Sequence, residues 1–130
     1  MNLQISMQDR SLIYTPTQIY SSPVNSATLK NLIKATDILI KSDTSDETQK
    51  DLLHKLWKYA QKYHNKLASK YHTWPDDSSM VWLAVGVDKL EEAHYCSTYG
   101  SQNDCKSALE TASISFNRAF PIKLFLSHQN

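Results

Sequence analysis

The sequence predicts an all-α fold: a single domain built as an antiparallel four-helix bundle, with an extended N-terminal arm. Three observations carry that prediction. The first is glycine, of which there are two in 130 residues, against an average usage of about 7%. Sandwiches, barrels and dinucleotide folds consume glycine where the backbone needs positive φ or close approach. A helical domain does not. The second is that apolar residues recur every three or four positions in four separate stretches, the period of a helix with one buried face. The third is length. A chain of this size makes one domain and buries about two-thirds of its unfolded surface. Short connections between the four stretches favour antiparallel neighbours.

Residues 1–26 do not read as helix. Leu3, Ile5 and Met7 alternate with polar neighbours, and Thr15-Pro16 and Ser22-Pro23 interrupt the rest of the segment. An extended or partly disordered arm is expected there. The bundle is expected over 27–120. Its first helix begins near Ser26, read as the cap, and carries Leu29, Leu32, Ile33, Thr36, Leu39 and Ile40 on one face. The second is capped by Thr44 or Ser45 and runs to about Tyr71. Leu52, Leu53, Leu56, Trp57, Ala60, Tyr63, His64 and Leu67 form its broad inward face. At about 26 residues it is a rod of roughly 39 Å.

The third helix, about 78–98, opens with an uninterrupted apolar run from Met80 to Val87 and continues through Leu90, Ala93 and His94. The fourth starts at Asn103 or Asp104 and uses Cys105, Ala108, Leu109, Ala112, Phe116, Ala119 and Phe120 before Pro121. Residues 121–130 form a short tail whose Ile122, Leu124 and Leu126 alternate and suit pairing with the arm.

Composition excludes several functions. With Gly86 and Gly100 alone there is no phosphate-binding loop and no GxGxxG. Fourteen basic and thirteen acidic residues leave a net charge of +1, unlike a basic nucleic-acid binder. The longest apolar run is far short of the roughly 20 residues that span a bilayer. No signal peptide is apparent, so the cytoplasm is the expected location.

Cys96 and Cys105 flank the turn between helices three and four. Their spacing admits two free thiols or one disulfide, and a disulfide would move the expected location to the periplasm or exterior. Glu91 and His94, three apart, with His54 on helix two, match part of the donor set of a di-iron bundle. No carboxylate interrupts an apolar face, however, and His54 reads as solvated. No metal or other cofactor is expected. His54, Glu91 and His94 are kept as the alternative.

The most regular surface pattern is Lys58, Lys62, Lys66 and Lys70, with Tyr59 and Tyr63 beside it. Like charges at i,i+4 repel mildly unless something acidic answers them. Asp88, Glu91 and Glu92 are the internal candidates. Tyrosine outnumbers phenylalanine seven to three, a bias that suits interfaces. The leading expectation is a non-enzymatic protein-binding module: a homo-oligomer, an inhibitor or immunity-type protein, or an adaptor. A metal-binding bundle and a nucleic-acid-associated protein are the alternatives. Nucleic acid is disfavoured because Arg10 and Arg118 are the only arginines.

Overall fold

A computed structural model describes residues 23–70 and 78–120 of the chain. Residues 1–22 of the arm expected over 1–26, residues 71–77 and the tail at 121–130 lie outside the described residues. Four helices are present among those described: α1 (Ser26–Ile40), α2 (Glu47–Lys70), α3 (Ser78–Tyr99) and α4 (Gln102–Arg118). The order and extent of the expected helices hold to within a few residues at each end.

Caps explain the small shifts. Asn25 caps α1, its side chain accepting from the Thr28 backbone N–H, so Ser26 becomes the first helical residue. At α2 the side chain of Asp46 accepts from the Thr48 N–H, and Glu47 follows in the first turn, where a negative charge meets the positive end of the dipole. Ser101 caps α4 by accepting from the Asp104 N–H at 3.1 Å.

Cross-helix contacts fix the topology. The Asn25 N–H donates to the Tyr63 hydroxyl at 2.7 Å, joining the start of α1 to the second half of α2. His94, late in α3, meets His54, early in α2. The Cys105 thiol donates to the Ala93 carbonyl, while the Arg118 guanidinium lies 4.9 Å over the Trp82 ring. The Ser113 hydroxyl donates to Asp37 at 2.8 Å, and Gln102 reaches Thr44 and Asp43. Every sequential pair, and α1 with α4, is therefore antiparallel. The contact between α3 and α4 is the most extensive, and among sequential neighbours that between α1 and α2 is the smallest.

The core is a continuous column of side chains from all four helices, including Leu29, Leu32, Leu53, Leu83, Leu90, Leu109 and Phe116. Gly86 faces Phe116 across the contact of α3 with α4. A Cβ there would fall within 2.6 Å of Phe116 Cδ1 and nearer still to Cε1, and the Phe116 ring is fully buried. A mid-helix glycine costs about 1 kcal/mol relative to alanine. Here the absence of a side chain is what lets the ring in.

The inward face of α2 is narrower than its sequence suggests. Leu53, Ala60 and Leu67 are its buried residues, whereas Leu56, Trp57 and Tyr63 are half-buried at its margins. Leu52 is 46% exposed. Adjacent residues on a helix point about 100° apart, and here Leu53 takes the inward direction while Leu52 turns out.

Two measurements check this packing. Leu53→Ala should lower unfolding free energy in urea by about 2–5 kcal/mol, and Leu56→Ala by clearly less. Gly86→Ala should cost about 1–3 kcal/mol through overpacking. Its cost should shrink in a Phe116→Leu background, where the clashing ring is gone.

Candidate functional site

The segment from Leu52 to Lys70 contains five lysines and no acidic residue. Glu47 pairs with Lys50 and Asp51 with Lys55, so the acids of α2 are used up in its first two turns. Beyond them, Lys58, Lys62, Lys66 and Lys70 are all exposed. Residues four apart are offset by about 40° on a helix, so these lysines wind around α2 by about 120° in all. Lys58 lies on the α3 side, its ammonium 4.5 Å over the Trp57 ring and bonded to Gln61. The acids of α3 do not answer the stripe: Glu92 takes Lys89 at 3.0 Å, and neither Lys62 nor Lys66 makes an ion pair with a described residue.

The two tyrosines expected beside the stripe differ. Tyr59 is 52% exposed. Tyr63 packs against the core and accepts the hydrogen bond from Asn25 that ties α1 to α2. The ring is half-buried, so α1 already covers part of it. The side chain falls on the margin next to α1, a neighbour that periodicity along α2 alone does not reveal.

His54 departs from its expected place. It is half-buried rather than solvated, because the register between α2 and α3 sets it against His94 with ring centroids 4.9 Å apart. Trp57 stacks on His94 at 5.4 Å and meets His54 edge-on at 5.7 Å. Its indole N–H is buried without a partner. Glu91 is exposed on the next turn back from His94. The structure thus brings His54 and His94 together. No group of three or more His, Cys, Asp or Glu side chains among the described residues is arranged to hold a metal ion.

Burial holds His94 below the ordinary histidine range, helped by the neighbouring His54 and Lys58 and opposed by the Glu91 carboxylate. His94 therefore packs in this cluster as a neutral ring near pH 7.

Cys96 and Cys105 are both free thiols. Cys105 is fully buried and engaged with the Ala93 carbonyl. Burial raises the Cys96 thiol, with Asp104 and Glu92 adding to the effect, so it lacks the thiolate character of a nucleophile. No described helix is long and apolar enough to cross a membrane.

On the opposite flank, α1 and the last turns of α4 border an open groove of about 470 Å³. Lys30, Lys34 and Lys41 line it with Ile33, Ile38, Asn117 and Phe120. Sequence reading passes over it because its walls belong to helices far apart in the chain.

No protein-family model, no curated protein and no solved structure matches this chain.

The His94 environment makes a signed prediction. Its pKa in the folded state lies below the unfolded value of about 6.5. The neutral form is therefore worth stability above pH 6.5, which is lost as pH falls toward the folded pKa and levels off below it. Urea midpoints measured from about pH 7.5 down to about pH 5 should decline, and His94→Phe should flatten the decline while keeping the ring stack. An unchanged profile in His94→Phe would assign the titration elsewhere.

Proposed function

We propose that this protein is a non-enzymatic helical binding module whose partner is an acidic protein surface, docked on the outer face of α2. The observation that carries the reading is the run of exposed lysines at 58, 62, 66 and 70 in a segment without acids. Mutual repulsion along a helix costs a few tenths of a kcal/mol per pair, and an opposing carboxylate surface removes it. Tyr59, exposed beside Lys58 and Lys62, supplies an amphipathic ring of the kind that anchors interfaces. The two free thiols suit a reducing compartment, and the cytoplasm is our reading of the location.

Charge at the rim of an interface acts mainly on association rate and salt sensitivity, and buried rings act on release. In-cell lysine crosslinking followed by mass spectrometry should recover an acidic protein linked through Lys58, Lys62 or Lys66. Lys62→Glu with Lys66→Glu should slow its association at least tenfold at low salt and weaken its salt dependence. Tyr59→Ala should speed dissociation. A folded double variant that binds the same partner with the parent's rate and salt dependence would reduce the stripe to a solvated face.

A further inference from the structure

The groove between α1 and α4 holds a set of charges that its own helix ought to have neutralised. Lys30, Lys34, Ile38 and Lys41 succeed one another at i, i+4, i+8 and i+11 along one face of α1. Asp37 stands three residues after Lys34 and four before Lys41, both spacings that ordinarily allow an ion pair. Neither pair forms. The Asp37 carboxylate accepts the Ser113 hydroxyl from α4 at 2.8 Å instead, and none of the three lysines makes an ion pair with a described residue. All three are exposed.

Between them lies apolar surface. Ile38 is 58% exposed, a β-branched side chain set among lysines, and Ile33 and Phe120 are half-buried in the groove. From Lys30 to Lys41 the helix rises about 16 Å, some three turns. The groove is open to solvent along that length rather than closed over. A small ligand normally loses most of its surface to its pocket, which an open trough does not provide. An extended anionic backbone such as a nucleic acid finds the cations but gains nothing from Ile38 and Phe120, and no arginine lines the groove. A helix with an apolar stripe flanked by carboxylates satisfies both halves of the lining at once.

We propose that the α1–α4 groove is a docking site for an acidic amphipathic helix of a partner protein. The helix sets its apolar stripe on Ile33, Ile38 and Phe120 and its carboxylates against Lys30, Lys34 and Lys41. The proposal deepens the reading of an acidic partner and rests on it only for the partner's charge, since the groove and the α2 stripe are separate surfaces.

The test uses the full chain and a fluorescein-labelled helical peptide of about four turns, with leucines at i, i+4 and i+7 and flanking glutamates. Anisotropy should show saturable binding that weakens with salt. Amide shifts in a nitrogen-15 spectrum should cluster at residues 30–41 and 113–120. Lys34→Glu with Lys41→Glu should weaken binding at least tenfold, and Ile38→Ala several-fold, with helicity and melting retained. A control peptide with lysines for the glutamates should not bind. Lys106→Glu, a charge reversal outside both surfaces, should leave peptide binding unchanged, and a failure of the α2 reading in the crosslinking test leaves groove binding intact, so that the two are told apart. Shifts located on α2, equal binding by the groove variant, or displacement of the peptide by duplex DNA at lower concentration than by its unlabelled form would overturn the proposal. So would sedimentation showing that the groove variant abolishes a dimer of this chain, because the occupant would then be a second copy.

Discussion

The close approach of α3 and α4 at Gly86 is the constraint on which the remaining packing depends. A glycine on one helix admits a phenylalanine ring from the other, and the fully buried Phe116 sets both the separation of the axes and their register. The same register places the Cys105 thiol under the Ala93 carbonyl and Arg118 over Trp82, at either end of the pair. The outer helices are hung on this spine, α2 against α3 and α1 against α4. They touch each other less than either touches the spine, so most of the apolar side of each is spent there. The rest of α1 and α2 faces outward, and there the lysines gather.

Net charge conceals that arrangement. The chain as a whole is close to neutral, yet residues 78–120 carry five acidic and three basic groups while residues 52–70 carry five lysines and no acid. Compensation at the level of composition is therefore not compensation in space. Exposed charges that do not pair directly are screened beyond the Debye length, about 8 Å at physiological salt. The field near α2 is that of a basic protein.

Much of the fold was legible because the helices satisfy simple periodicity. Leu29, Leu32, Thr36 and Leu39 on α1, and Cys105, Leu109, Ala112 and Phe116 on α4, are buried as their spacing implies. Periodicity is less informative where a run is apolar on every side. From Met80 to Val87 the pattern cannot say which residues face water, and Val81 is 58% exposed within it. It fails where the answer depends on a second helix. His54 flanks the apolar stripe of α2 and looks solvated, until the offset between α2 and α3 sets it against His94. Tyr63 belongs to α1 as much as to α2. The lysines of α1 are visible at helical spacing in the sequence, but the groove they border exists only once Asn117 and Phe120 have been brought alongside.

The pairing of α1 with α4 has a consequence for how the chain is made. Roughly 80 residues separate the end of α1 from the end of α4. At about 5–20 residues per second, synthesis takes about 4–16 s to cover them. Over that interval α1 lacks α4, the helix with which it packs most extensively. The helical hairpin of α3 and α4, joined by a turn of two residues at Gly100 and Ser101, closes a short loop at little entropic cost but is made after α1 and α2. α1 is therefore synthesised well before the helix that completes its packing.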